Sequence, residues 1–231
     1  MKTLDRFKIL DGTALKIVAM IAMIFDHVGD NFFPEMVWMR IIGRMAMPIF
    51  AFCIAEGFAH THDKAKYLRR MLIFGVVSEV PFDLVTAGKV LEFSHQNIMF
   101  TFAWAIIGLL ILDKVGGSAL KRWAKNLIRV IVFIVFLVGS IILGLDYNMV
   151  AIAIIFAFYI LREKTDWIRD LVAAGVHAVL RNMGIYWFGL LGFIPILLYN
   201  HKRGKGLKWL FYVFYPGHLL LIWVIRMICY R

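Results

Sequence analysis

Apolar runs of about 15–22 residues succeed one another along almost the whole chain, broken by charged clusters or by Gly, Pro and Asn turns. About nine can be counted, roughly at 15–33, 37–58, 66–86, 97–113, 127–145, 147–161, 167–182, 184–200 and 207–228. The sixth to eighth are short and closely spaced, which admits a re-entrant or tilted hairpin and a range of about eight to ten. A hydrocarbon layer of about 30 Å needs about 20 apolar helical residues to cross it. The pattern therefore predicts an all-α, polytopic integral membrane protein. Composition agrees: 62% of residues are hydrophobic and 18% charged, against about 45–50% and 25% in soluble domains. The 20 Phe and 7 Trp suit lipid-facing and interfacial positions. With no internal repeat and no linker, residues 1–231 read as a single membrane domain.

Basic residues test the count. Lys2, Arg6, Lys8 and Lys16 precede or open the first run. Further clusters follow the second (Lys64, Lys66, Arg69, Arg70), the fourth (Lys114, Lys121, Arg122, Lys125, Arg129), the sixth (Arg162, Lys164, Arg169) and the eighth (Lys202, Arg203, Lys205, Lys208). The intervening loops carry only Arg40, Lys89 and Arg181, with acids such as Asp30, Glu92 and Asp146. Under the positive-inside rule this alternation places the N-terminus in the cytoplasm and the C-terminus outside. The net charge of +11 then belongs to cytoplasmic loops. Nucleic acid is not an expected partner, because no basic stripe interleaved with aromatics lies outside the apolar runs. The first run has no small-residue cleavage site after it and reads as a retained helix. Cys53 and Cys229 lie in apolar runs with neither metal nor disulfide spacing, and no metal site is expected.

An ionisable group at membrane depth costs roughly 2.5–3.5 kcal/mol or more, so each one needs a partner or a task. Asp26 and His27 lie past the midplane of the first run. His27 shares a face with Lys16, Met20, Met23 and Asp30, and Asp26 points about 100° away, toward an imidazole or a cation on a neighbouring helix. Arg44 lies at similar depth in the second run and cannot deprotonate, so it needs a carboxylate, with Glu79 or Asp83 the expected partner. Pro48 is expected to kink that run. Glu56 and His60 sit four apart at its cytoplasmic end. Glu79 and Asp83 share a face of the third run, with Pro81 between them, and His95 and Asn97 lead into the fourth. Tyr215 and His218 lie at mid-depth in the last run, and His177 stands alone as a structural histidine. These polar groups equally suit interhelical packing, since membrane helices use such residues as glue.

There is no metal-spaced Cys/His cluster, no Gly-x-Ser-x-Gly and no phosphate-binding Gly loop. Imidazole, carboxylates and Arg in a membrane cavity serve two classes of function. One is acyl transfer, with His27 as general base or transient acyl carrier, a carboxylate orienting it and donors such as Asn97 at the oxyanion. The other is a small proton-coupled transporter that uses the same groups as a relay.

A set of motifs recurs in order: Asp26-His27, Gly43-Arg44-Met-Ala-Met-Pro48-Ile-Phe-Ala-Phe52, Glu56-Gly-Phe-Ala-His60-Thr61, Tyr67-Leu-Arg-Arg70, Ser78-Glu-Val-Pro81-Phe-Asp83, Asn97-Ile-Met-Phe-Thr101 and Tyr215-Pro216-Gly-His218-Leu. From about residue 14 to 222 the chain resembles the TraX family, which is associated with N-terminal acetylation of conjugative pilin. That family is in turn similar to transmembrane acyltransferases such as O-antigen acetylases and the lysosomal heparan glucosaminide acetyltransferase, which pass an acyl group from cytosolic acyl-CoA across the membrane with a buried His. The resemblance implies an acetyl-CoA-dependent acetyltransferase with His27, Asp26, Arg44 and Asn97 catalytic. It implies acetyl-CoA as donor, held at Glu56, His60, Lys64, Lys66, Arg69 and Arg70. An extracytoplasmic acceptor, a peptide amine or a glycan, would meet Glu79, Asp83, His95, Tyr215 and His218.

Overall fold

A computed structural model describes residues 7–181 and 184–229. Of the basic residues that set the predicted topology, Lys2 and Arg6 lie outside the described residues. The described chain is all helical apart from two isolated β-bridges. In order the helices are α1 (Gly12–Phe32), α2 (Val37–Gly43), α3 (Ala46–His60), α4 (Lys64–Thr86), α5 (Ile98–Gly117), α6 (Arg122–Ile142), α7 (Asn148–Ile160) and α8 (Asp166–Leu180). A 3₁₀ helix (Gly184–Gly192) runs into α9 (Phe193–Leu197), and α10 (Lys208–Cys229) closes the order.

Five segments among these are both long and apolar enough to cross a membrane: Gly12–Phe32, Val37–His60, Ile98–Gly117, Arg122–Ile142 and Lys208–Cys229. The protein is a membrane protein on this pattern, and the nine similar runs expected from sequence resolve into unlike elements. Helix α4 has 23 residues but opens on four basic ones and buries Glu79 and Asp83. Helix α7 has 13 residues, about 20 Å of helix, well short of a hydrocarbon layer. It need not face lipid, because Val150 to Phe156 are all buried between α3, α5, α6 and α8. By contrast α6 leaves Val130, Ile134, Val138 and Ile141 about half exposed, which is costless against acyl chains.

Local chemistry explains the boundaries. The carboxylate of Asp11 accepts from the Thr13 and Ala14 amides at 2.9 and 2.8 Å and caps α1. The second run divides at Arg44–Met45, so Pro48 falls in the first turn of α3. The expected mid-helix kink is replaced by a break just upstream, where the missing proline N–H costs no hydrogen bond. Helix α4 continues through Pro81.

Two ends of the bundle can be told apart. At the N-terminal end the 198–205 loop wraps the start of α1: the Leu10 amide donates to Leu198 O at 3.0 Å and the Thr13 hydroxyl to Lys205 O at 2.6 Å. Lys64 meets Asp113 at 2.5 Å, and Lys8 and His201 both meet Asp166, at 2.7 and 2.8 Å. At the opposite end the 94–97 segment pairs with the α6–α7 turn, the Gln96 amide donating to Gly144 O at 2.8 Å and the Asp146 amide to Gln96 O at 3.0 Å. Gly144 takes φ +60° there, and a side chain on it would run into Ser94 O.

Candidate active site

Helices α1 to α5, the α6–α7 turn and α10 line a narrow cavity of about 420 Å³, its open mouth included. Its wall is mostly apolar, from Met23, Met47, Phe50, Phe82, Ile98 and Phe102, with Asp26, His27, Asp146, Tyr147 and Tyr215 as its polar members. His27 lies fifteen residues beyond Gly12 on α1, about 22 Å along the helix.

Asp26 and Arg44 form a buried ion pair, and Arg44 is only 6% exposed. The Asp26 carboxylate also accepts from Arg40 Nε at 3.0 Å, while Arg40 Nη1 pairs with Asp30. The Arg44 guanidinium lies 5.0 Å from the Tyr186 ring. The carboxylate that Arg44 required is therefore Asp26, not Glu79 or Asp83. Gly43 makes the pairing reachable: its Cα packs so closely on α1 that a Cβ would overlap the Asp26 side chain. Asp26 is committed to two guanidinium groups, the cation pairing that was one of its two expected roles, and does not orient His27.

His27 is held instead by His218. Its Nδ1 lies 2.8 Å from His218 Nε2, with the rings nearly parallel at 8°. His218 is buried and stacks on Phe214 at 4.5 Å. It thus supports His27 and does not line the cavity, contrary to its expected contact with an acceptor. Tyr215 does line it.

Asn97 is fully buried and fully occupied. Its amide donates to Gly75 O at 2.9 Å and to the Glu79 carboxylate, and its oxygen caps α5 by accepting from the Met99 amide at 3.0 Å. Both protons of the amide are spent, so the expected oxyanion donor is a lock between α4 and α5. Asn97→Ala is expected to cost about 2–4 kcal/mol, about 1 from the lost cap and the rest from leaving Glu79 without a partner. Thermal unfolding in detergent measures it. Glu79 Oε1 already lacks a partner among the described residues. Asp83 accepts from the Glu92 amide at 2.7 Å and closes the loop after α4.

Asp146, left in a bare loop by the sequence reading, and Tyr147, read as the start of the sixth run, are both site residues. Tyr147 and Asn148 both adopt positive φ, 54° and 33°, a costly pair for non-glycine residues. This geometry turns Asp146 and Tyr147 into the cavity. The signal was present in Gly144-Leu-Asp-Tyr-Asn148, a turn composition between two apolar runs. His95 approaches Asp146 at 3.8 Å, and that carboxylate raises the His95 imidazole above its ordinary pKa.

The residues expected to hold a donor nucleotide lie at the N-terminal end, and the structure does not gather them into one cluster. Lys64 is paired with Asp113. Arg70 donates to Tyr212 Oη at 3.2 Å and lies over the Tyr67 ring. Glu56 accepts from Tyr199 Oη at 3.1 Å and, with Arg162 and Arg169, lines a second cavity of about 200 Å³. His60, Lys66 and Arg69 are exposed. Arg169, read from sequence as a loop cation, is 4% exposed and bonded to Asp170 at 2.8 Å. His177 meets Tyr186 O at 3.1 Å, the structural place expected of it.

The profile of the family described as TraX protein matches residues 11–226. The chain belongs to the TraX family. Among curated proteins this TraX-family chain is 27% identical over 235 residues to a probable fimbrial assembly protein FimC, serogroup H1, of Dichelobacter nodosus, covering 90% of this chain and 92% of that one. It is 33% identical over 153 residues to an uncharacterized protein of Rickettsia prowazekii (strain Madrid E), covering 66% and 56% of the two chains. It is 30% identical over 92 residues to protein TraX of Escherichia coli, covering 39% and 36%. No solved structure matches. The matched region contains every group that lines the cavity.

Proposed function

We propose that this TraX-family chain is an integral membrane acetyltransferase that moves an acetyl group from cytosolic acetyl-CoA to an acceptor beyond the membrane. The observation that carries the reading is His27: an imidazole in a mostly apolar cavity, with Nδ1 engaged by protein and its other nitrogen without a protein partner among the described residues. Such a group takes a proton from an attacking amine or hydroxyl, or carries the acyl group itself. In this reading residues 1–231 form a single multi-pass domain of the bacterial cytoplasmic membrane, with the N-terminal end of the bundle on the cytosolic side. The short α7 lies inside the protein. His27 then lies in the outer half.

In this reading the exposed His60, Lys66 and Arg69 meet the donor's phosphates as point charges and donors. The thioester must then reach roughly 18–24 Å along α3 toward Arg44 and His27. The resemblance to pilin-acetylating proteins, and the likeness to a relative named for fimbrial assembly, favour a peptide N-terminus as acceptor, and a glycan hydroxyl fits the same base. Reconstitution in proteoliposomes with radiolabelled acetyl-CoA on the basic side tests the proposal. Release of CoA and labelling of an acceptor peptide enclosed on the other side is the expected result. Proton-driven solute flux with no acyl-CoA consumed would overturn it in favour of the transporter.

A further inference from the structure

Both ring nitrogens of His218 are engaged. Nδ1 lies 2.9 Å from Phe214 O, one turn earlier in α10. A carbonyl only accepts, so His218 Nδ1 carries a proton. Nε2 of the neutral ring is then an acceptor, and it lies 2.8 Å from His27 Nδ1. His27 Nδ1 must therefore donate, which leaves the lone pair of this imidazole on Nε2. His27 lines the cavity, and its Nε2 is neither bonded to protein nor buried without a partner among the described residues.

We propose that His218 is the positioning residue of the site: it holds His27 as the Nδ1–H tautomer, so that Nε2 faces the cavity as an unprotonated base. The tautomer follows from the hydrogen-bond geometry with a neutral His218, and only its use in acyl transfer rests on the reading above. An isolated neutral histidine favours the other tautomer, with its proton on Nε2, so the preference has to be imposed. The rigid end of the chain is the Phe214 carbonyl, part of the α10 backbone. Stacking of His218 on Phe214 at 4.5 Å, with an interplanar angle of 5°, fixes the ring between them.

The neighbouring charges do not substitute for His218. Asp26 is spent on Arg44 and Arg40. Asp146 accepts from the Tyr147 amide at 2.9 Å and faces His95. A neutral imidazole behind the base also suits the setting. A further carboxylate in this apolar wall would have to be desolvated and paired, whereas the His27–His218 bond becomes charge-assisted only when His27 takes its proton.

The experiment is ¹⁵N NMR of histidine-labelled protein in lipid nanodiscs, with the His27 signals assigned by their loss in His27→Ala. The expected wild-type spectrum shows a protonated Nδ1 and a bare Nε2 on His27. His218→Phe keeps an aromatic ring but removes the acceptor, and is expected to move His27 to the Nε2–H form and slow acyl transfer on the order of 10²-fold or more. His218→Gln has an oxygen to accept from His27 Nδ1 and an N–H to donate to Phe214 O, and is expected to restore the tautomer and most of the rate. A wild-type His27 with its proton on Nε2, or a His218→Phe protein that keeps the Nδ1–H form, overturns the proposal. The expected spectra in a protein that transfers no acyl group support the tautomer assignment and sink the acyltransferase reading alone.

Discussion

Asp26→Asn is expected to destabilise the protein by about 3–5 kcal/mol, the cost of stranding one partner of a buried ion pair. The burden falls on Arg44, which is buried and whose Nε has no partner among the described residues; the neutral Asn amide oxygen and the Tyr186 ring do not balance its charge. Hydrogen bonds between membrane helices average only about 0.6 kcal/mol, but a full charge that cannot deprotonate is a different case. Arg40 provides the contrast. It is about a quarter exposed and keeps Asp30 as a second carboxylate, so Arg40→Ala should cost about 1 kcal/mol or less. Asp26→Asn combined with Arg44→Met should recover much of the loss, because the double change removes both charges. Thermal unfolding of the four proteins in one detergent measures these effects. Equal losses for the Asp26 and Arg40 variants would contradict the assignment of Asp26 to Arg44.

His27→Ala is expected to behave in the opposite way, with acyl transfer falling about 10²–10⁴-fold and stability changing by only about 1 kcal/mol. The side chain is partly exposed to the cavity, and its hydrogen bond among the described residues is with a neutral ring. Its removal strands no charge. Transfer kinetics and a melting curve on the same preparation separate the two effects. A folded His27→Ala protein with undiminished transfer would remove His27 from the chemistry.

Much of this was legible in the chain. Arg44 had to have a carboxylate, because a guanidinium cannot shed its charge, and it has one. Its identity was not legible. Glu79 and Asp83 seemed as close in depth as Asp26, and the choice was made by α2 packing onto α1 through Gly43. Asn97 was rightly singled out as a polar group at depth. That its amide is spent on Gly75 and Glu79 depends on how α4 and α5 are rotated about their axes. Asp146 was hidden because a loop acid between two apolar runs looks solvated until the turn at Tyr147 directs it inward.

The sequence by itself determined the class of molecule and the debts within it. Long apolar runs demand helices in lipid, since no water there can satisfy the backbone. Each ionisable side chain among them must find a partner or a function. Only the tertiary structure decided who pairs with whom. Depth can be counted at about 1.5 Å per residue, but rotation about the helix axis and the choice of neighbours emerge only when the whole bundle packs. His27 meets a histidine 191 residues away, and no local pattern in either helix specifies that distance.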